Sequence, residues 1–325
     1  MTSTSANPSK NQSNKPAWAG DDWLARLVNQ LIATPLLYRL MKQQARRVLI
    51  KTAEKNGVRW RDRVAELDSE QLRASLAEIS NPDLSYPDYY QVPFHAYDAG
   101  NLCWLAALEA EPATQSMALR VWKDESLSPD VAQQRLRHSF LEAIAPHLPQ
   151  TIENVLDVGC SIGISTEFLH RNLQTRQSQP IQTVGLDLSP YMLAVAQQRD
   201  STGQISQWVH GNAEATDFRD RSFDLISLQF VLHELPRQAT TAIFQEMRRL
   251  LRPGGLLAIV DNNPKSSVIQ NLPPALFVLM KSTEPWSDDY YTFNVEETLN
   301  QVGLSHIETI PTDPRHRTII ARQVD

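Results

Sequence analysis

Hydrophobic positions are arranged differently in the two halves of the chain. Trp23, Leu24, Leu27, Val28, Leu31 and Ile32 recur at helical spacing. A second helix opens with Thr34 as N-cap and Pro35 at its first position, where a missing N–H costs nothing. It carries Leu36, Leu37, Leu40, Met41, Val48 and Leu49 on one side and Arg39, Lys42, Arg46 and Arg47 largely opposite. Further helices are predicted over Asp68–Ile79, where Asp68 and Gln71 resemble a capping box, and over Pro129–Ala145 with Ser128 as cap. Between these lies the aromatic-rich stretch Tyr86–Trp122, and nothing before residue 150 reads as a regular strand series.

From Ile152 onward, apolar β-rich runs alternate with helical ones. The runs are Ile152–Val158, Ile181–Leu186, Ile205–Val209, Phe223–Leu228 and Leu256–Val260, and the helices between them Ile164–Leu173, Pro190–Arg199 and Arg237–Leu251. This alternation predicts an α/β domain with a doubly wound, mostly parallel sheet covered on both faces. The expected organisation is a disordered polar tail at 1–17, a helical N-terminal extension at 18–150 and the α/β domain at 151–325.

Composition narrows the setting. Of 325 residues, 31 are Lys or Arg and 37 Asp or Glu, giving a net charge of −6. That balance argues against the broad basic face of a nucleic-acid binder. The charge is uneven, however: residues 21–63 hold ten basic and four acidic side chains, a local +6 on a body of −12. A basic face beside an apolar one makes this segment a candidate for peripheral contact with an anionic membrane, its rival role being packing on the α/β domain. Trp23–Met41 is interrupted by Arg26, Asn29, Gln30, Pro35 and Arg39, so a membrane-spanning helix is not expected. Residues 1–17 lack the apolar run of a secretory signal. Cys103 and Cys160 cannot build a disulfide framework or complete a structural zinc site, and no metal ligand set is read from the sequence. A reducing cytoplasmic setting is expected, peripheral to a membrane or within a plastid-like compartment as variants.

The first glycine loop, Gly159-Cys160-Ser161-Ile162-Gly163, follows a buried strand and opens a helix. It matches G-x-S-x-G, which would make Ser161 a nucleophile with Asp261 and then His306 or His316 as partners. A hydrolase elbow follows several strands of its sheet, yet everything upstream here reads as helical. It is also close to the dinucleotide fingerprint, but Asp157 two residues before Gly159 would repel a pyrophosphate. An acid at that position suits a cofactor carrying an ammonium and a cationic centre.

The motif series that follows resembles the class I S-adenosylmethionine-dependent methyltransferase family. Asp157-Val-Gly159-Cys160-Ser161-Ile-Gly163 resembles its first motif, with Ser161 where many members carry glycine. Val184-Gly-Leu-Asp187-Leu188-Ser-Pro resembles its second, and the resemblance implies that Asp187 accepts both ribose hydroxyls. Gly211-Asn212-Ala213-Glu214 resembles the third, with Asn212 in place of an aspartate at the adenine amino group. Phe223–Glu234, including Gln229 and His233, resembles the fourth strand and its exit, and Leu251–Leu257 the turn into the fifth. Asn294 and Glu297 form a capping box for a helix ending at Gly303, and His306–Ile310 and Arg317–Ala321 are expected as the last strands, one antiparallel. The resemblance covers about 152–325 and implies a Rossmann-like seven-stranded sheet.

It further implies S-adenosylmethionine as cofactor, held by Asp157, Gly159, Cys160, Ser161, Gly163, Asp187, Leu188, Asn212, Ala213 and Gln229. His233 is the candidate catalytic base, and Asp261, Asn262, Tyr290 and Tyr291 are candidate acceptor-pocket residues together with it. Asn262-Asn263-Pro264 resembles a DNA amino-methylation motif but follows the fifth strand rather than the fourth. Tyr89–Trp104 is too aromatic for a linker and is expected to cover the pocket or fill an interdomain core. The expected activity is methyl transfer to a small, lipophilic acceptor, as in the quinone-ring methyltransferases. The alternatives are a non-catalytic protein sensing S-adenosylmethionine or S-adenosylhomocysteine and a nucleic-acid methyltransferase.

Overall fold

The structure, a computed structural model, describes residues 35–95, 97–273 and 282–324, with side chains from residue 43. The tail at 1–17, the helix expected at Trp23–Ile32 and the Thr34 cap lie outside the described residues.

Seven strands form one sheet: β1 Asn154–Val158, β2 Gln182–Asp187, β3 Gln207–His210, β4 Phe223–Gln229, β5 Leu251–Asn262, β6 Leu304–Pro311 and β7 His316–Gln323. Their spatial order is β3-β2-β1-β4-β5-β7-β6, and only β7 runs antiparallel to its neighbours. This is the doubly wound sheet expected from the alternating pattern.

Helices before the sheet are α1 Pro35–Lys55, α2 Trp60–Leu67, α3 Glu70–Ile79, α4 Trp104–Val121 and α5 Pro129–Ile144. Within and after it come α6 Ile164–Gln174, α7 Pro190–Arg199, α8 Arg237–Leu250, α9 Ser267–Gln270, α10 Ser287–Thr292 and α11 Val295–Gln301.

Period-two alternation splits the strand residues between two cores. Leu156, Val158, Ile226, Leu228, Leu257 and Ile259 pack with Ile243, Phe244 and Met247 of α8. Val155, Leu225, Leu256, Ala258 and Val260 pack on the other face with Leu169 and Leu173 of α6 and Phe140, Leu141 and Ile144 of α5. Apolar burial on both faces is why the strands read as continuous hydrophobic runs. Ser128 caps α5 by accepting the Val131 N–H at 3.3 Å, and Asn294 caps α11 by accepting the Glu297 N–H at 3.1 Å, both as predicted.

The capping box assigned to Asp68 and Gln71 is corrected. Ser69 is the N-cap, its hydroxyl accepting the Leu72 N–H at 3.2 Å, while Asp68 ends the preceding helix and pairs with Arg73 at 2.8 Å. Two helices of the extension were also not foreseen. One is α2. The other, α4, holds Pro112 in its interior, a residue that ordinarily ends a helix.

At the end of β1 the chain turns on left-handed backbone. Gly159 has φ +68° and Gly163 has φ +79°, and the N–H groups of Gly159 and Cys160 both reach the Leu186 carbonyl, at 2.8 and 3.1 Å. Ser161 shares this conformation at φ +50°, where glycine would be unstrained. Gly185 and Trp208 are partners across β2 and β3, and the Trp208 ring lies over both Gly185 and Gly163. A Cβ at Gly163 would meet that ring at 2.5 Å, and one at Gly159 would meet Val231 at 2.5 Å.

The extension packs on this loop and on α7. Leu67, Leu72, Ala106, Ala107 and Leu108 share a core with Ile162, Met192 and Val195. Its internal hub is Glu109, only 3% exposed. Glu109 accepts from Trp60 Nε1 at 3.0 Å and the Tyr97 hydroxyl at 2.8 Å, and pairs with Arg46. Glu111 bridges Arg63 of α2 at 2.8 Å and Arg199 of α7 at 2.9 Å.

Two measurements test this account. Glu109→Ala leaves the Trp60 and Tyr97 donors unpaired and is expected to cost about 2–4 kcal/mol in a denaturant titration; an unchanged midpoint would remove the hub role. Gly163→Ala combines left-handed strain of about 1–3 kcal/mol with the Trp208 clash. It should destabilise more than Gly203→Ala, since Gly203 has nothing within 4 Å of a Cβ at a similar positive φ, +63°.

Candidate active site at the strand ends

The carboxyl ends of β1, β2, β3 and β4 converge beside the point where strand order reverses, between β1 and β4. In open α/β sheets that crevice is where ligands bind.

Asp157 ends β1 and is 1% exposed. Its Oδ2 accepts from the Thr166 hydroxyl of α6 at 2.6 Å and its Oδ1 from the hydroxyl of Ser227, its register partner on β4. Gln229 Nε2 stands 3.5 Å from the same Oδ1. Burial raises the Asp157 carboxyl above the ordinary range, while these donors pull the other way. Asp157 thus stands two residues before the glycine loop with its oxygens engaged by hydroxyls of α6 and β4.

Asp187 ends β2, with Oδ2 accepting the Ser161 N–H at 2.7 Å and Oδ1 the Ser189 N–H at 2.8 Å. Burial lifts it to about 6, against the pull of those amides. Each oxygen has accepted one bond and keeps a lone pair for a further hydroxyl donor. Cys160 is buried, and its thiol is pushed well up by desolvation and then by Asp187 and Asp157. Asn212 follows β3 and its Oδ1 accepts the Glu214 N–H at 3.0 Å; Ala213 packs at the margin of the core. The loop residues, Asp187, Leu188, Asn212, Ala213 and Gln229 are thus brought to one rim.

Residues 81–101 run across this rim. His210 fixes the first anchor: its Nδ1 accepts the Asn81 N–H at 2.8 Å, so Nε2 carries the proton and faces the Leu188 carbonyl at 3.2 Å and the Tyr86 oxygen at 3.1 Å. Tyr89 donates to Glu214 at 2.7 Å, Ser189 donates to the Asn101 carbonyl at 2.7 Å, and Asn101 donates to Glu234 at 3.1 Å. Trp286 donates to the Tyr89 carbonyl at 3.2 Å, and the His95 N–H to the Thr283 carbonyl at 2.9 Å.

Beyond β4 and β5 lies a dense titratable cluster. His233 sits in a 3-10 turn with Nδ1 2.8 Å from Asp261 Oδ1, while its N–H donates to Asp261 Oδ2 at 3.2 Å. Burial alone would lower the imidazole; Asp261, with Glu284 and Glu234, overrides it and raises His233 to about 10. In return His233 holds the fully buried Asp261 below the usual carboxylate range, although burial pulls upward. Desolvation, then His233, lowers His95 to about 3, and burial lifts Glu234 to about 7.

The other acceptor-side residues are engaged within the fold. Asn262 accepts from Arg315 Nε at 2.8 Å through its side chain and from the Tyr290 hydroxyl through its carbonyl. Tyr290 and Tyr291 are 2% and 1% exposed, in the core beneath α8, where the Tyr290 ring meets His233 edge-on at 6.4 Å.

Several residues at this rim escaped the sequence analysis. His95, Glu234 and Glu284 complete the cluster but come from three separate segments with no common motif. Arg137 is 6% exposed on α5, acts electrostatically on Asp157, and its Nε has no hydrogen-bond partner among the described residues. Its spacing from Phe140, Leu141 and Ile144 already put it on a buried helix face.

Residues 156–259 match the family model described as a methyltransferase domain. The chain is 35% identical over 113 residues to a demethylmenaquinone methyltransferase of Lactiplantibacillus plantarum, covering 34% of this chain and 45% of that protein. It is 33% identical over 132 residues to an uncharacterised methyltransferase of Synechocystis sp., covering 41% and 58%. It is also 33% identical over 150 residues to the erythromycin 3''-O-methyltransferase of Saccharopolyspora erythraea, covering 45% of each. The chain spans about half the length of the curated relatives it matches. Strand order and motifs agree over the matched segment, so residues 156–259 are similar in sequence and in fold to a methyltransferase domain.

Proposed function

We propose that the protein transfers the methyl group of S-adenosylmethionine to a small, lipophilic acceptor. The observation that carries this is the rim itself: a left-handed glycine loop, the Asp187 carboxylate and Asn212 meet at the strand ends beside the order reversal. Asp187 is assigned to the ribose hydroxyls through its remaining lone pairs, the Gly159–Gly163 backbone to close approach of the cofactor, and Asn212 with Leu188 and Ala213 to the adenine. Asp157, with Gln229 beside it, acts by holding that loop in place. Cys160 and Ser161 contribute backbone shape.

The sulfonium methyl is already activated, so in-line positioning and exclusion of water supply much of the rate. His233, fixed by Asp261, is assigned to the acceptor side as the catalytic residue. Tyr290, Tyr291 and Asn262 support it from behind. Residues 81–101 serve as the cover of the crevice, tied to both ends of it by Tyr89, Asn101 and His95.

A lipophilic acceptor is supported by the aromatic character of that cover and by the demethylmenaquinone methyltransferase among the relatives. Membrane contact through residues 21–63 has less support. Arg46, Arg59, Arg61 and Arg63 are already paired with Glu109, Glu66, Glu54 and Glu111, and Ile50, Ala53 and Trp60 are buried in a core shared with α4. No helix among the described residues is long and apolar enough to cross a membrane.

Calorimetry with S-adenosylhomocysteine tests the cofactor assignment. Wild type should bind, and Asp187→Asn, with its thermal midpoint checked, should bind about 10–100-fold more weakly, as expected for lost bonds to a charged acceptor. Absence of heat in wild type, or equal affinity in the variant, would overturn it. The same titration should depend on pH. Asp187 is raised to about 6 and the ribose contacts favour its ionised form, so affinity should be full above that value and fall as pH drops through it. A flat profile between pH 5 and 8 would dissociate Asp187 from the ribose. Transfer of labelled methyl into the organic fraction of a cell extract separates an enzyme from a protein that only senses the cofactor.

A further inference from the structure

We propose that His95, His233 and Glu284 form a binding site for a divalent first-row transition ion, zinc being the best match. One potential ligand atom from each lies within 4.8 Å of the others. Metal–ligand bonds of about 2.0–2.2 Å require such atoms to stand roughly 3.3 Å apart, so the side chains need to close by up to about 1.5 Å. His95 Nε2 is already 3.9 Å from Glu284 Oε1 and 3.8 Å from Glu234 Oε1, which places a fourth oxygen within reach.

The surrounding groups orient these donors as a metal site requires. Asp261 holds Nδ1 of His233 at 2.8 Å and its backbone N–H at 3.2 Å, which leaves Nε2 as the outward nitrogen. A carboxylate behind a ligating imidazole is the usual outer partner of such a site, fixing the ring and raising its basicity. Glu284 is held by the Ser287 hydroxyl at 3.1 Å and Glu234 by Asn101 at 3.1 Å. Three carboxylates therefore surround two imidazoles, and among the described residues neither Glu234 nor Glu284 is ion-paired with a lysine or arginine.

The donor set selects the ion. Two imidazoles and a carboxylate with no thiolate suit zinc or ferrous iron with an open coordination position, whereas magnesium prefers oxygen ligands alone. The site also joins separate parts of the chain: His95 comes from the extension, His233 from the exit of β4, and Glu284 from the segment before α10. An ion there would fasten the cover to the strand ends; with the ion bound, His233 Nε2 serves as its ligand and does not itself meet the acceptor. The proposal does not require methyl transfer.

The test uses the full chain stripped with a chelator and titrated calorimetrically with zinc and, separately, magnesium, with S-adenosylhomocysteine binding measured on the same samples. One zinc per chain is expected, no magnesium heat, and zinc affinity at least about tenfold weaker in both His95→Ala and Glu284→Gln. Retained S-adenosylhomocysteine affinity in those variants shows that they are folded; if wild type binds no S-adenosylhomocysteine, a far-ultraviolet spectrum serves instead. Zinc should also raise the thermal midpoint of wild type and not of His95→Ala. No zinc binding, or binding of equal strength in both variants, overturns the site. Zinc binding without S-adenosylhomocysteine binding would overturn the cofactor assignment alone.

Discussion

The reversal of strand order beside β1 is the constraint on which the rest of the structure depends. Because β2 and β4 flank β1 and their crossovers leave on opposite faces, the strand ends part there and leave polar backbone facing a crevice. Asp157 closes the bottom of that gap. It joins β1 to β4 through Ser227 and to α6 through Thr166, so the glycine loop above it is anchored on three elements. A buried carboxylate is tolerated only when its lone pairs are occupied, and here two hydroxyls occupy them. The acid before the first glycine thus ties β1 to β4 and α6, while the acid at the end of β2 accepts the Ser161 and Ser189 amides.

A second constraint fixes the segment before α4. Residues 81–101 have little regular structure beyond the turn at Asp88–Tyr90, so their course is set by discrete polar anchors. Most of those anchors lie on the α/β domain: His210, Glu214, Ser189 and Glu234. Tyr97 instead reaches back to Glu109, in the interior of the extension. This segment is held from both sides, by the α/β domain and by the extension. This links two parts of the chain that differ in hydrophobic pattern and in net charge.

The α/β half was legible because each strand is apolar on both faces and each strand end carries its own short motif. Sequence positions and structural positions coincide to within a few residues at most of the strands and helices. The extension was less legible for physical reasons. Pro112 sits inside α4, but a single lost N–H is compensated by burial of Ala106, Ala107, Leu108 and Ala118, so tertiary packing overrides the local stop signal. Asp68 and Ser69 are both good caps by residue type, and the choice fell to Ser69 because Arg73 takes the Asp68 carboxylate. Arg47, Lys51 and Lys55 remain outside any ion pair among the described residues, whereas Arg46, Arg59, Arg61 and Arg63 are paired, a division the local charge count could not express.

The two sides of the crevice differ in legibility for one underlying reason. The cofactor side is made by backbone geometry at strand ends, and that geometry demands particular residues at fixed spacing: glycines at positive φ and an acid in the last residues of the strand. The titratable cluster beyond β4 and β5 is made by side chains that arrive from residues 95, 101, 233, 261 and 284, from separate segments that share no motif. Only their mutual charge restricts them. Asp261 can be fully buried because His233 is 2.8 Å away, and His233 can be withdrawn from water because Asp261 faces it. Around that pair stand Glu234 and Glu284, whose carboxyls burial raises above the ordinary range while His233 draws them down, so these groups are fixed by one another's charge rather than by a motif.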